Sequence, residues 1–299
     1  MGAADLAARH GQDAVGRLVK PPPFTYVAPE SLDEAVAALA EHGEDAKVLA
    51  GGQSLIPLLS LRLARPTALI DLNRVTSLSS IEVNGSTTIG AMTRHRAVER
   101  SADVASHVPL LAAAVPYIGH AAIRTRGTIG GSLAHADPAA ELPAIALALD
   151  ATFEARSVRG TRTIEASDFF DGYFTTALEV DEILTRVTFP HAAPRTGVSV
   201  QEMARRHGDF AMVAVVASVT AGGDARIALI NMADRPVRAH EAEAAMKEGA
   251  PIAEVAALAV RDLDPSADLH ATAAYRRAVA AVLVRRALTE AADRAKDAA

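Results

Sequence analysis

The sequence predicts an α+β protein in three stretches. A two-part unit spans residues 21–194, with a small α/β part over about 21–75 and an antiparallel-sheet part over 76–194. A domain of three antiparallel strands with helices follows over 195–299, and residues 1–20 form a leader without a predicted fold. Three observations carry this expectation. Short apolar strands alternate with capped helices up to about residue 75. Hairpin signals then take over. Finally, Pro190-His191-Ala192-Ala193-Pro194 reads as a linker into alternating strands and a long amphipathic helix.

Within the first part, Pro21-Pro22-Pro23 is a stiff extended entry. Ser31-Leu32-Asp33-Glu34 is a capping box for a helix from Leu32 to Glu41, which His42-Gly43 ends. Val48 to Ala50 is a buried strand, Ser54 to Leu63 a short helix, and Ala68 to Leu72 the next strand. In the second part, Asn84-Gly85 turns a hairpin between Ser80-Ile81-Glu82-Val83 and Thr87-Thr88-Ile89-Gly90. Thr93 caps a helix that includes Ala97 and Val98, and Pro109 to Val115 is helical. Ile123 to Thr128 reads as a strand. Asp137 as N-cap and Pro138 at the first position start a buried helix from Ala139 to Leu149. Strands are expected over 152–156, 161–165 and 182–189. Beyond the linker they are expected over 198–204, 211–220 and 225–230, with Gly222-Gly223 as a hairpin turn. The remainder, Arg238 to Ala292, is expected to be helical, with an apolar stripe from Ala273 to Leu288.

Composition narrows the function classes. The chain has 299 residues, half of them hydrophobic, and a formal net charge of −6. That charge argues against nucleic acid or an anionic membrane as the main partner. Cysteine is absent, so the chain holds no disulfide, thiolate metal site or iron–sulfur ligation. Tryptophan is absent and aromatics make up 4%, too few for a base-stacking surface. The longest apolar stretch, Phe210 to Ala221, falls short of the ~20 residues a bilayer span needs. The chain is expected to be cytoplasmic.

The chemistry concentrates in two near-copies of one phrase. Leu49-Ala50-Gly51-Gly52-Gln53-Ser54-Leu55 and Thr128-Ile129-Gly130-Gly131-Ser132-Leu133 each stand at the end of a predicted strand. Paired glycines let backbone N–H groups point into one concavity, a nest suited to a phosphate. The helix start near Ser54 adds positive partial charge, and Gln53, Ser54, Thr128 and Ser132 add side-chain donors. Taken alone, each pair reads equally as an ordinary tight turn. Taken together they suit the two phosphates of a dinucleotide. Asp137 reads both as a helix cap and as an acceptor for ribose hydroxyls, and Glu141 both as a surface charge and as such an acceptor. No G-x-G-x-x-G opens a helix and no P-loop lysine is present, so the binding mode lies outside the Rossmann arrangement. His107, His120 and His135 lack metal-ligand spacing, and no G-x-S-x-G elbow occurs. Arg205-Arg206-His207-Gly208-Asp209-Phe210 gathers charge and one of few aromatics just before an apolar strand. The arginines of Tyr275-Arg276-Arg277 and Arg285-Arg286 read as a wet helix face, or as a face toward an acidic partner subunit.

The chain resembles the FAD-binding medium subunits of the molybdenum hydroxylases, the family of carbon monoxide dehydrogenase and of the flavin domain of xanthine dehydrogenase. The resemblance runs from about Lys20 to Leu288. Five motifs carry it in order: Ala50-Gly51-Gly52-Gln53-Ser54-Leu55, Thr128-Ile129-Gly130-Gly131-Ser132, Asp137-Pro138-Ala139-Ala140-Glu141, Glu182-Ile183-Leu184 and Arg206-His207-Gly208-Asp209-Phe210. It implies a two-part FAD-binding domain followed by a sheet-plus-helices domain. It implies that the two glycine loops grip the FAD pyrophosphate and that Asp137 or Glu141 lies near the ribose–adenine half. Ile183 or Leu184 would lie against the cofactor, and Asp209-Phe210 near the isoalloxazine. Where the xanthine dehydrogenase domain has a flavin-contacting lysine, this chain departs with Gln201. The resemblance further implies a large molybdopterin subunit and a small subunit with two-iron two-sulfur clusters, in a dimer of heterotrimers, with electrons leaving through FAD to an external acceptor. Two other readings remain at this stage: a self-contained FAD-dependent oxidase of the related fold, and a non-catalytic nucleotide-binding assembly subunit.

Overall fold

A computed structural model of the chain describes residues 20–297. The leader expected over residues 1–20 therefore lies, but for Lys20, outside the described residues. The first part contains β1 (Thr25–Val27), β2 (Ala46–Leu49) and β3 (Ala68–Asp71), all parallel, in the order β1-β3-β2. Parallel neighbours need crossovers, here α1 (Leu32–His42) and α2 (Leu55–Ser60). Half of the capping box forms at α1: Glu34 N–H donates to Ser31 Oγ at 3.2 Å, while Glu34 Oε2 accepts from Glu30 N–H, one residue before the cap, at 2.9 Å. Gly43, at φ 56°, ends the helix.

The second part is a five-stranded antiparallel sheet. It comprises β4 (Ile81–Val83), β5 (Ser86–Gly90), β6 (Thr152–Ser157), β7 (Gly160–Glu165) and, beyond a small hairpin of β8 (Phe170–Gly172) and β9 (Thr175–Thr176), β10 (Ile183–Pro190). The strand order is β4-β5-β10-β6-β7. Six short helices lie between β5 and β6: α3 (His95–Glu99), α4 (Ala102–His107), α5 (Pro109–Ala114), α6 (Ala121–Arg126), α7 (Ile129–His135) and α8 (Glu141–Ala148). α9 (Ala166–Phe169) comes after β7.

Local pattern fails in this helical stretch, and the contacts explain why. The expected strand through Ile123–Thr128 is helix α6, because Arg124 is drawn inward. Its guanidinium donates to Glu99 and to the carbonyls of Pro116, Ile118 and Gly119. Thr93 does not cap α3; its hydroxyl donates to the Ser80 carbonyl at 3.0 Å. Asp137 is not the N-cap of α8, nor Pro138 its first residue. Asp137 Oδ1 accepts from Ala139 N–H at 2.9 Å, and the Pro138 carbonyl accepts from Asn231 N–H at 2.8 Å. That tie to the C-terminal domain holds the turn out of the helix, which begins at Glu141.

In the C-terminal domain, β11 (Thr196–Met203), β12 (Val213–Thr220) and β13 (Ala225–Ile230) form the expected antiparallel strands. A fourth, two-residue strand, β14 (Val237–Arg238), extends the sheet. α10 (His240–Lys247), α11 (Ile252–Leu258) and α12 (Ala273–Asp297) cover one face. The other face packs on the second part. Val213, Val215, Ala217 and Val219 enter the core under α12, while Ala214 and Val216 enter the central core with Leu111, Ile145 and Phe153. Burial on both faces is why β12 reads as an apolar run rather than an alternation. A third core joins α1, β3, Met92 and Ile183.

Candidate functional site

The first glycine loop leaves β2 and turns at Gly52, whose φ of 75° favours glycine. Among the described residues, the N–H groups of Gly51, Gly52, Gln53, Ser54 and Leu55 have no hydrogen-bond acceptor. The Gln53 side chain folds back onto the Gly51 carbonyl at 3.2 Å. Free, clustered donors of this kind are what an anion needs.

The second glycine pair is not a turn. Gly130 and Gly131 lie in the first turn of α7, and the donors there are engaged. Ile129 N–H goes to the Thr93 carbonyl, Gly130 N–H to the Ala91 carbonyl at 2.8 Å, Gly131 N–H to Thr128 Oγ1 at 3.1 Å and Ser132 N–H to the Thr128 carbonyl. These glycines serve close approach instead. A Cβ on Gly130 would lie 2.4 Å from that of Ala91, and one on Gly131 would lie 2.7 Å from Thr128 Oγ1 and 3.2 Å from the Ala50 Cβ.

The two loops are in direct contact. A Cβ on Gly51 would sit 2.4 Å from the Arg126 carbonyl oxygen and 2.8 Å from Gly127 Cα. The structure thus brings Leu49 to Leu55 beside Thr128 to Ser132, packed so closely at Gly51 that any side chain there would strike the Arg126–Gly127 backbone. His95 backs the second loop. It is buried, its Nε2 lies 2.9 Å from the Thr128 carbonyl, and burial pushes its imidazole down to about 4.

Two carboxyl groups meet at the seam with the C-terminal domain. Glu141, 6% exposed at the start of α8, is pushed up to about 8 by burial, with Glu202 and Asp137 adding repulsion. Glu202, on β11, is raised to about 7 by burial, and its Oε2 is buried without a hydrogen-bond partner among the described residues. Gln201 points to the opposite face of the strand, where its amide donates to Glu290 Oε2 at 2.6 Å and to Ser199 Oγ at 3.2 Å. From this strand Glu202, rather than Gln201, is turned toward α8.

The remaining candidates contribute no free donor to the loops; Ile183 shares a core with Ala50. Ile183 and Leu184 are 2% and 5% exposed. Ile183 belongs to the core around α1 and Leu184 to the central core, so both side chains are spent on packing. Asp209 closes a turn onto the Arg206 carbonyl, and Gly208, at φ 87°, presses on His120. Phe210 is 67% exposed.

Three residues with a part here escape sequence reasoning. Asn73 and Arg94 join the loops, with no local motif to announce them. Glu202 leaves one trace: with Val198 and Val200 it falls on a single face of β11, which places a carboxylate on an otherwise apolar row.

Two family models match the chain: "FAD binding domain in molybdopterin dehydrogenase" over residues 22–192, and "CO dehydrogenase flavoprotein C-terminal domain" over residues 199–291. The 6-hydroxypseudooxynicotine dehydrogenase complex subunit alpha of Paenarthrobacter nicotinovorans is 40% identical, over 93% of this chain and 97% of its own. Among solved structures, carbon monoxide dehydrogenase from Hydrogenophaga pseudoflava, lacking the Mo-pyranopterin moiety, superposes with a TM-score of 0.89. It is 40% identical and covers 92% of this chain and 99% of its own. Quinoline 2-oxidoreductase from Pseudomonas putida 86 superposes with a TM-score of 0.87 at 38% identity, covering 92% and 99%.

Proposed function

The chain belongs to the FAD-binding medium subunits of the molybdenum hydroxylases, and from that premise we propose that it passes electrons from iron–sulfur clusters on a small partner subunit, through its FAD, to an external acceptor. Enzymatically it is an oxidoreductase subunit. The proposal includes a large molybdopterin subunit, a dimer of such heterotrimers and a cytoplasmic setting. The names of its relatives support the division of labour: "medium chain" for carbon monoxide dehydrogenase and "medium subunit" for nicotine 6-hydroxylase. So does the lack of cysteine, since thiolate-held clusters must then sit on another chain. Among the described residues no helix is long and apolar enough to cross a membrane.

The observation that carries the cofactor reading is the contact between the loops. Five N–H groups from Gly51 to Leu55 are unengaged among the described residues, and Gly51 packs directly against Arg126 and Gly127. In our reading the first loop receives the diphosphate through its main chain, with Ser54 as a further donor. The second loop, Thr128, Gly130, Gly131 and Ser132, acts mainly as the wall that lets the chain approach closely. Asp137 and Glu141 lie beyond it, toward the sugar. Asp209 and Phe210 offer an exposed aromatic edge to the flavin ring. Ile183 and Leu184 contribute by locking the two parts together. Residues 21–194 form the cofactor domain, with subparts 21–75 and 76–194, and 195–299 the domain that closes it. Bound here, FAD supplies a carrier that takes electrons singly and releases them singly or in pairs.

The test is direct. The purified full-length chain should carry flavin absorbance, and acid release should yield FAD by mass spectrometry. A chain that retains no flavin, and takes up none on reconstitution, would overturn the reading.

A further inference from the structure

The two glycine loops come from different parts of the molecule, yet one polar chain runs between them. Asn73, just after β3, donates from Nδ2 to the Ala50 carbonyl at 2.9 Å. Its Oδ1 accepts from Arg94 Nη2 at 2.6 Å. Arg94 Nη1 then donates to the Arg126 carbonyl. That oxygen is the atom a Cβ on Gly51 would strike. The bridge therefore starts on the residue before Gly51, crosses from the first part to the second, and ends on the atom that touches Gly51 from the other side.

We propose that Arg94, held in place by Asn73, is the positioning residue that sets the spacing of the two glycine loops and so the width of the diphosphate slot. The inference rests on the reading that these loops hold FAD. Three features single out this pair. First, Asn73 has little freedom: its main-chain N–H donates to Asp71 Oδ1 at 2.9 Å, and Asp71 also accepts from the Tyr26 hydroxyl. Second, the Arg94 main chain bridges Thr128, so residue 94 touches the second loop on both sides of Gly127. Third, Arg94 has no carboxylate within ion-pair distance among the described residues, and neither has Arg126. Partial burial and the Arg126 guanidinium hold Arg94 below the usual arginine range, with Asp71 opposing. Two guanidinium groups left without counter-ions beside five unengaged N–H donors favour an anion between them. The planar fork matters as much as the charge. It reaches an amide oxygen and a carbonyl at once, which a lysine cannot reproduce from one point.

Apo full-length protein, titrated with FAD, ADP and AMP, tests this. Arg94→Met should weaken FAD and ADP together by about 10- to 100-fold, as expected for losing hydrogen bonds from a charged donor. AMP, with one phosphate, should lose far less. Arg94→Lys should recover under half of the loss on a logarithmic scale, and Asn73→Ala should weaken FAD and ADP with the arginine charge intact. Unchanged FAD affinity in Arg94→Met, full rescue by lysine, or equal losses for ADP and AMP would each overturn the proposal. If the Met variant fails to fold, the Lys and Asn73 variants decide by the same readings. Failure of the wild-type chain to bind FAD would instead remove the functional reading beneath it.

Discussion

Replacing Gly51 by alanine isolates the contact between the loops. The added Cβ would sit 2.4 Å from the Arg126 oxygen, 2.8 Å from Gly127 Cα and 3.0 Å from the Arg126 carbonyl carbon. Ordinary contact begins at 3.4 Å, so the loops must part by about 1 Å. All three atoms belong to the backbone, so no rotamer change relieves the clash. Overpacking of this kind costs about 1–3 kcal/mol. The loops already touch in the ligand-free chain, so the cost lowers stability, and it lowers affinity as far as the diphosphate depends on that contact. At about 1.4 kcal/mol per tenfold, FAD affinity should drop, by up to about 150-fold if the whole cost falls on binding. The assay is titration of apo protein with FAD, run beside thermal melting. Gly223→Ala is the control. Its φ of 88° makes alanine strained, but nothing lies within 4 Å, and it sits in the C-terminal hairpin. It should lower the melting temperature and leave FAD affinity unchanged. The reasoning is refuted if Gly51→Ala binds FAD like wild type, or if Gly223→Ala loses as much.

Glu141 and Glu202, pushed up to about 8 and 7, keep protons in the folded chain that the unfolded chain releases near 4.5. Their contribution to stability is complete below that value and is lost as pH rises through 7 and 8. Melting of the apo protein should therefore fall between pH 5.5 and 9, and Glu141→Gln should flatten the slope; a level or rising wild-type curve contradicts this. Gly197→Ala puts a Cβ 1.9 Å from the Ala291 carbonyl oxygen and 2.5 Å from Ala295 N. It should push α12 off β11 and destabilise the protein by about 3 kcal/mol, the upper end for overpacking, seen as an earlier melt; a melting temperature within a degree of wild type would argue that α12 does not press on the sheet.

Legibility tracks the range of the forces involved. α1 is readable because its start is local: Ser31, Glu34 and Gly43 satisfy its ends within a dozen residues. The Asn84-Gly85 hairpin is readable because its turn residues sit between the strands they join, with Gly85 at φ 68° and Val83 opposite Thr87. α6 reads wrongly as a strand because Arg124 answers to Glu99 and to carbonyls outside the helix, and no periodicity encodes that. The start of α8 is misplaced because Pro138 is bonded to Asn231, 93 residues away along the chain. At the site, the glycines and small polar residues stand out as motifs. Asn73 and Arg94 do not, since each is an ordinary surface residue type whose meaning comes from the partner it meets.

The twin phrases around Gly51 and Gly131 look like two copies of one device, and the hydrogen bonds separate them. In the first, the donors are free and the chain turns at a glycine with φ 75°. In the second, Thr128, Thr93 and Ala91 already occupy the donors, and the glycines are needed because Ala91 and Ala50 press against them. One loop offers charge and the other offers proximity. A nest alone would leave a diphosphate open to water on one side, and a wall alone would give it nothing to bond. Alanine at Gly131 should therefore act by distance, through Thr128 Oγ1 at 2.7 Å and the Ala50 Cβ at 3.2 Å, and not by loss of a free donor. That distinction ties the strength of cofactor binding to the contact between the two parts rather than to either loop by itself.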